Sequence, residues 1–407
     1  MAGVQSKTSG ADHNVMRELN RSLVLDLLKQ HSPISRAAIA KAADLAKPTV
    51  SAIIDELIHK GLVREIGIGR TTTGGGRPPI MLEFNARSQF VAGVQIGVHR
   101  INVVVADARG NEVGRAQRPT GRGKPAKVLE TVIEVIRAAL AEAKVPTKRL
   151  AAVGVCVPGL IDSRTGTLLL APNLRWKDIS VGPVLHAALR VPVFVHNTAQ
   201  ACAVAESIEG AGQGKSDLVF LYVSTGVGAG ILTDGRLFPG TSGLAGEIGH
   251  CPVGSTVRCG CGKVGCLETV ASGAAIEQAA RTQLAKGRKS SLDPKKVTAE
   301  DVSAAAAEGD ALAVEVLTGV AEALGIAVSW LVNLLNPEMV VIGGGIAGVG
   351  EPLLGPLRKT ASSHALAPSA AKVEVVASTL GDDAEVRGAV LLALRYAERY
   401  FRVIFQG

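Results

Sequence analysis

Hydrophobic residues in the first 60 positions recur at helical spacing and predict three helices. Apolar residues lie at every fourth position, at Val15, Leu19, Leu23 and Leu27. This spacing is typical of one face of an amphipathic helix. A short second helix is predicted to open near Ser32 or Ser35, and Pro48 suits the first turn of a third. The apolar stripe of this third helix comprises Val50, Ile53, Ile54, Leu57 and Ile58. Three such helices, the last ending at Lys60–Gly61, predict a helix-turn-helix.

A basic, glycine-rich connector follows the third helix. It joins two strand-like pieces, 62–66 and 80–82, and between 60 and 82 the chain carries four basic residues against one acidic residue. Three glycines followed by Arg77–Pro78 form a narrow cationic element that can place an arginine in an A·T-rich minor groove. The connector therefore predicts the wing of a winged helix-turn-helix over residues 1–85.

The third helix is polarised in a way that favours DNA contact at its N-terminal end. Small or hydrogen-bonding side chains meet the positive end of the helix dipole there, whereas Asp55 and Glu56 lie further along and would repel phosphate. We expect this end to enter the major groove. The candidate DNA-contacting residues on the helix and the wing are Lys47, Thr49, Ser51, Arg70 and Arg77. The alternative is a small helical domain for dimerisation or protein binding.

Beyond residue 85 the pattern changes to short β-rich runs separated by glycine turns. A strand, a glycine turn and a second strand occur at 90–106 and again at 218–232, which predicts two similarly built α/β lobes. Helical segments lie between them, and Thr298 with Asp301 predicts a capping box at the start of one. The predicted segments are a first lobe over 86–198, a second lobe over 199–382, and a helix over 383–402 that packs back onto the first lobe.

Composition narrows the class of partner. The chain has 44 Lys and Arg against 36 Asp and Glu, a net charge of +8 that is compatible with a polyanion. The chain has seven Phe, three Tyr and two Trp residues, which are too few for the stacking platforms that bind single-stranded nucleic acid. Neither a signal peptide nor a run of roughly 18–20 apolar residues is found. We expect a cytoplasmic protein with no membrane partner, whose six cysteines stay reduced.

Four potential metal ligands fall within a window of 17 residues. They are His250, Cys259, Cys261 and Cys266. Three thiolates and one imidazole are the ligand set of a closed, structural Zn²⁺ site, and the glycines at 260, 262 and 265 would let the backbone wrap round the ion. Cys251 is excluded because its side chain points away from that of His250 in an extended segment. The alternative is a loop of reduced cysteines without a metal.

The region around these ligands resembles a known family signature. The run 224–230, continued by Gly240, Gly243 and 246–250, resembles the signature of the ROK family (repressors, open reading frames and sugar kinases). The Cys-Gly-Cys-Gly and Gly-Cys-Leu-Glu elements at 259–262 and 265–268 resemble it too. The likeness covers nearly the whole chain. The N-terminal winged helix resembles the sugar-catabolism repressors of the family and not its free-standing kinases.

The resemblance implies a fold and an effector site. The fold is a two-lobed, actin-like (ribonuclease-H-like) α/β domain that binds a sugar in the cleft between the lobes. The residues that carry over to this effector site are Gly159, Asn173, Asn197, Glu247, His250 and Glu268. Carboxylates and amides can bond several sugar hydroxyls at once. His250 would hold the zinc through one ring nitrogen and present the other to a sugar hydroxyl, which couples metal and effector.

Two departures from the kinases of the family predict that the chain is not an enzyme. Gln95 stands where the kinases have an aspartate before the phosphate loop, and a neutral amide is a poor partner for Mg²⁺-nucleotide. Thr198 stands where they have the aspartate that acts as general base, and a threonine hydroxyl cannot take a proton from a sugar near neutral pH. The second departure also leaves open whether a simple sugar, a sugar phosphate or no effector binds.

These observations lead to three hypotheses. The first is a sequence-specific DNA-binding regulator, a repressor of carbohydrate genes, that binds a double-stranded operator as a homodimer or homotetramer and responds to a sugar or sugar phosphate. The second is an ATP-dependent sugar kinase with a DNA-binding appendage. The third is a constitutive DNA-binding regulator without an effector. The last six residues, 402–407, support no interpretation.

Overall fold

The structure, a computed structural model, describes residues 8–69, 78–121 and 123–404. Among these residues the chain forms two compact units. The first unit comprises 8–69, 78–90, 106–112 and 397–404, and the second comprises the remainder of the described chain between 91 and 396.

The first unit is a small helical domain with a three-stranded sheet. Ser35 caps the second helix, since its side chain accepts a hydrogen bond from the amide of Ala38 at 3.2 Å, and Asp44 ends that helix with a left-handed backbone (φ 51°). Pro48 occupies the first turn of the third helix. The helices and strands are α1 (Thr8–His31), β1 (Ile34–Ser35), α2 (Arg36–Ala43), α3 (Lys47–His59), β2 (Val63–Ile68) and β3 (Ile80–Phe84).

The core of this unit is the apolar stripe of α3 packed against the other helices and the sheet. Ile54, Leu57 and Leu82 are fully buried in one cluster with Val24 and Leu28 of α1. The sheet order is β1-β3-β2, so β2 and β3 form the antiparallel ribbon at the base of the wing. The two-residue strand β1 was not predicted, and helix α1 has 24 residues.

The first lobe of the second unit is built on a five-stranded sheet of order β11-β7-β4-β5-β6, with a small sheet β10-β9-β8 beside it. Its strands are β4 (Phe90–Ile96), β5 (Arg100–Asp107), β6 (Glu112–Pro119), β7 (Leu150–Val157), β8 (Leu160–Asp162), β9 (Thr167–Ala171), β10 (Trp176–Ile179) and β11 (Val193–Asn197). Its helices are α4 (Pro125–Glu142) and α5 (Val181–Leu189).

The second lobe repeats this sheet in the order β14-β13-β12-β15-β16. In both sheets the strand order follows the same scheme, which gives the two lobes a common architecture. The strands are β12 (Leu218–Val223), β13 (Val227–Thr233), β14 (Arg236–Leu237), β15 (Met339–Gly343) and β16 (Glu374–Ala377). The helices before, between and after these strands are α6 (Thr198–Glu209), α7 (Glu268–Ala271), α8 (Gly273–Ala285), α9 (Ala299–Ala307), α10 (Ala311–Leu335), α11 (Glu351–His364), α12 (Ala367–Ala370) and α13 (Ala384–Ile404).

Two helices pack closely where the chain passes between the lobes. An ideal Cβ at Gly388 of α13 would lie 2.0 Å from the carbonyl oxygen of Ala201 in α6, so only glycine allows this approach. An ideal Cβ at Gly154 of β7 would likewise lie 2.0 Å from the Ala389 carbonyl oxygen, which places α13 against the first sheet. The capping box is present, because Thr298 and Asp301 bond each other's backbone amides at the start of α9.

Helix α10 is long and apolar enough to cross a membrane by length and composition alone. It lies in the core of the second lobe, where residues along its whole length, such as Leu317, Leu324 and Val328, are fully buried. A buried core helix passes the same test, so this helix indicates packing within the lobe.

Candidate metal centre, effector cleft and DNA-binding helix

The structure brings together the four predicted metal ligands. One ligand atom from each of His250, Cys259, Cys261 and Cys266 lies within 4.8 Å of all the others. Nδ1 of His250 is 3.7 Å from Sγ of Cys259, and Sγ of Cys261 is 3.7 Å from Sγ of Cys266. Ligand atoms about 2.3 Å (S) or 2.0 Å (N) from a tetrahedral zinc would lie roughly 3.5–3.8 Å apart. The donor set and its spacing therefore fit a four-coordinate zinc.

Backbone turns at two glycines form this cluster. Gly262 and Gly265 adopt φ of +92° and +89°, and a Cβ at Gly265 would lie 2.8 Å from the Ser255 carbonyl oxygen. Gly260 has neither a positive φ nor a close neighbour, so the expected need for glycine at that position was wrong. The amide of Cys259 donates to the Lys263 carbonyl at 2.8 Å and closes the turn.

The environments of the thiols differ. Burial, reinforced by the neighbouring thiols of Cys261 and Cys259, raises the pKa of Cys266 to about 12, whereas the Lys263 backbone amide lowers the pKa of the exposed Cys261. A metal at this site would bind the thiolate, so the charge of the metal would have to supply the free energy that deprotonates Cys266. Cys251 lies outside the group of four.

Two carboxylates lie beside the candidate metal centre. Nε2 of His250 is 4.0 Å from a carboxylate oxygen of Glu247, on the ring edge opposite Nδ1. Burial raises the pKa of Glu247 to about 7, and the charge of Glu268 adds to this effect. Glu268 itself accepts a hydrogen bond from the Val227 amide at 3.1 Å. Three of the predicted effector-binding residues are thus grouped with the metal ligands.

A first-lobe loop reaches this group from the other side. The side-chain amide of Asn173 donates to the Thr225 hydroxyl at 3.3 Å, and this contact joins the two lobes. Thr225 precedes Gly226, where an ideal Cβ would lie 2.6 Å from a carboxylate oxygen of Glu268. Sequence reasoning did not single out Thr225, although it lies within the family signature.

Asn197 and Gly159 are held together at the end of the first sheet. Asn197 donates from its side-chain nitrogen to the Gly159 carbonyl at 2.7 Å, and its side-chain oxygen caps α6 by accepting from the Ala199 amide at 2.8 Å. Gly159 has φ +122°, and a Cβ there would lie 2.4 Å from the Leu170 carbonyl oxygen. Thr198, the first residue of α6, is buried. The amide of Asn197 is therefore fixed in orientation before any ligand binds.

Gln95 contacts a residue of helix α13. It is buried at the end of β4, and its side-chain nitrogen donates to a carboxylate oxygen of Glu385 at 2.6 Å. An amide committed to a protein carboxylate offers no anionic oxygen to a metal–nucleotide complex.

Helix α3 presents a polar surface at its N-terminal end. Lys47 and Thr49 are exposed there, and Ser51 is half-buried. Asp55, expected to repel phosphate, is paired with Arg36 of α2 at 2.8 Å. Glu56 has its own cationic partners, Arg17, Arg21 and Lys60, and they lower its pKa against the opposing effect of burial. Neutralisation by neighbouring cations thus removes much of the expected repulsion, and sequence spacing gave no signal of it. Arg70 and Arg77 lie outside the described residues.

The ROK family model matches residues 91–396, more than half of the chain. The chain belongs to the ROK family. A MarR family model matches residues 18–65, within the winged-helix unit. The predicted ROK membership and the predicted fold, a winged helix followed by a two-lobed actin-like domain, are confirmed by these matches and by the solved regulator below.

Three ROK relatives bear on function. The xylose repressor of Caldicellulosiruptor bescii is 34% identical over 394 residues, which cover 94% of this chain and 97% of that protein. A solved ROK family transcriptional regulator, a homologue of the E. coli MLC protein, is 30% identical with a TM-score of 0.83 over 96% of this chain and 100% of that chain. A ROK family glucokinase from Streptomyces griseus, solved with glucose and AMPPNP, is 30% identical with a TM-score of 0.66 over 75% of this chain and 99% of the kinase.

Proposed function

We propose that this ROK protein is a sequence-specific DNA-binding repressor of carbohydrate genes that responds to a sugar-type effector and has no kinase activity. The observation that carries the proposal is the whole-chain match. The solved regulator and the xylose repressor align over the winged helix as well as the two lobes, whereas the glucokinase covers only 75% of the chain. The sequence-based prediction of a transcriptional repressor of sugar metabolism is confirmed by these relatives.

The DNA contacts we propose come from the N-terminal end of α3 and from the wing. Lys47, Thr49 and Ser51 would face the major groove, and Arg70 and Arg77 would reach the minor groove on either side of the glycines. Exposure of Lys47 and Thr49 and the pairing of Asp55 with Arg36 support this orientation. The protein would act in the cytoplasm as a homodimer or homotetramer, with two recognition helices about one DNA turn apart.

The effector site we propose is the cleft lined by Gly159, Asn173, Asn197, Glu247, His250 and Glu268. Its carboxylates, amides and imidazole can bond several hydroxyls of one sugar. Structural Zn²⁺ would be held by His250 and the cysteines at 259, 261 and 266, and it would fix the His250 ring so that Nε2 faces the cleft. The contact between Asn173 and Thr225 supports a cleft that closes over its ligand.

The second candidate function is an ATP-dependent sugar kinase, which the solved glucokinase favours. Two features of this chain weigh against it. Gln95 is bonded to Glu385, and the buried Thr198 hydroxyl is too weak a base to deprotonate a sugar. A coupled assay for ATP-dependent phosphorylation of glucose and xylose tests this alternative, and we expect no turnover above background.

DNA binding itself is tested by fluorescence anisotropy at physiological salt, with a fragment from upstream of the protein's own gene and a shuffled fragment of equal length. We expect the genuine fragment to bind at least about a thousand-fold more tightly. Arg77→Ala should weaken A·T-rich sites selectively, whereas Lys41→Ala, a change of an exposed lysine on α2, should leave binding unchanged. Equal affinity for the two fragments would contradict the proposal.

A further inference from the structure

One half-buried carboxylate of the second unit receives a hydrogen bond from each lobe. Glu385, in the first turn of α13, accepts from the Gln95 side-chain amide of β4 at 2.6 Å through one oxygen. It accepts from the Tyr222 hydroxyl of β12 at 2.8 Å through the other oxygen. β4 is the central strand of the first sheet and β12 is the central strand of the second. The carboxylate of Glu385 therefore joins the cores of the two lobes.

The chain around Glu385 is the segment that returns from the second lobe to the first. β16 ends at Ala377 in the second sheet, and α13 begins seven residues later and packs against the first sheet. The intervening connector, 378–383, is held from both sides. The amide of Leu380 donates to Glu206 of α6 at 3.2 Å, and Asp382 pairs with Arg100 of β5 at 2.7 Å. Glu385 is thus placed at a crossing between the lobes, where any relative movement of the lobes must be accommodated.

We propose that Glu385 is a positioning residue that holds the two lobes in the arrangement in which Asn173 contacts Thr225 across the cleft. It acts through Gln95 in the first lobe and Tyr222 in the second, whose hydrogen bonds to Glu385 favour this arrangement over a more open one. Loss of either hydrogen bond shifts the population towards the open arrangement. The inference concerns lobe movement alone and does not depend on which effector, if any, binds.

Gln95, which stands where the kinases of the family have an aspartate, has a structural role in this arrangement. An aspartate at position 95 would place a second negative charge against Glu385, and like charges at this distance in a buried site repel. A glutamine supplies a donor that the carboxylate needs. A glutamine at position 95 is therefore suited to joining the lobes, whichever ligand binds in the cleft.

The test is hydrogen–deuterium exchange of the full-length protein without added sugar. The reporting segments are 170–176 and 224–228, which carry the two sides of the contact between Asn173 and Thr225. The variants are Tyr222→Phe and Gln95→Leu, each of which removes one bond to Glu385 and little volume. The control is Glu315→Gln, which breaks an exposed pair with Arg288 within the second lobe. Segment 324–332 of α10 serves as a core reference.

We expect each variant to raise exchange in both reporting segments on the order of five-fold, while α10 and the control protein stay unchanged. The proposal is overturned if the variants lower the melting temperature but leave exchange in the reporting segments unchanged, or if exchange rises equally in α10. Either result would show that the bonds to Glu385 only stabilise the fold. Since no sugar is present, failure of the proposed effector function would not affect the outcome.

Discussion

The imidazole of His250 lies between Cys259 and Glu247. Its Nδ1 is 3.7 Å from Sγ of Cys259, and its Nε2 is 4.0 Å from a carboxylate oxygen of Glu247. One ring therefore faces the predicted metal ligands with one nitrogen and the proposed effector cleft with the other. A metal that fixes Nδ1 also fixes the tautomer and direction of Nε2, so we expect metal loss to impair effector binding.

The first prediction concerns the metal. Purified protein should contain about one zinc ion per chain, and Cys266→Ser should lose it because a closed tetrahedral site needs all four ligands. The melting temperature should fall with the metal. Cys251→Ser, at the neighbouring cysteine outside the group, should keep full zinc content. Elemental analysis is the measurement, and equal zinc in the two variants would contradict the assignment.

The second prediction separates the cleft from the metal site. Glu247→Gln keeps the shape of the side chain but halves its capacity to accept hydrogen bonds from sugar hydroxyls. Calorimetry with the best-binding sugar should show affinity reduced by about ten-fold or more, with zinc content unchanged. Glu308→Gln, at an exposed position on α9's C-terminal flank, should bind normally. Loss of zinc in Glu247→Gln would instead assign Glu247 to the support of the metal site.

The third prediction concerns the pairing of Arg36 with Asp55. Arg36→Met would leave the Asp55 carboxylate uncompensated on the recognition helix and should weaken DNA binding by about two- to five-fold on every sequence. Asp55→Asn in the same protein should restore affinity, because the repelling charge is gone. Anisotropy titrations of the single and double variants measure this. Equal weakening in both would mean that the loss comes from another contact of Arg36, with DNA, with Glu65 or with the Ser51 carbonyl.

The fourth prediction is a pH dependence of stability. Burial lowers the pKa of His196 to about 4, against the opposing effect of its hydrogen bond to Gln200. As the pH falls through the ordinary value of 6.5 towards 4, the unfolded chain takes up a proton that the folded chain does not. The stabilisation is therefore complete above pH 6.5, and up to about 3 kcal/mol is lost on the way down.

Thermal unfolding at pH 7.5 and pH 5 tests this assignment. His196→Phe can keep the stack on Tyr396, where the ring centroids lie 5.6 Å apart, but cannot titrate. Its melting temperature should fall less between the two pH values than that of the unchanged protein. His364→Phe, at an exposed histidine, should fall as much as the unchanged protein. An equal fall in all three proteins would contradict the role given to His196.

Local features of the chain were readable from the sequence. The apolar stripe and Pro48 predicted α3, the Cys and His spacing predicted the metal cluster, and the Thr298–Asp301 pair predicted the cap of α9, because each depends on residues close together in the chain. The family motifs added the two-lobed fold and the residues proposed for the cleft.

Contacts between distant segments were not readable. Arg36 meets Asp55 from another helix, and Gln95 meets Glu385 from a strand 290 residues away. Glu385 does lie on the same helix face as Ala389 and Leu392, which are buried. A charged residue in such a stripe predicts a buried partner, but only the folded chain identifies it. The two-residue strand β1 likewise has too few residues to show a period.

The most direct test of the account is footprinting of the full-length protein on the fragment upstream of its own gene, with and without a panel of sugars and sugar phosphates that includes xylose. The account predicts a protected, near-palindromic site, and protection that is lost on addition of at least one member of the panel. Protection that no member of the panel changes would contradict sugar-responsive repression. Phosphorylation of a sugar in the same samples on addition of ATP would contradict the loss of kinase activity.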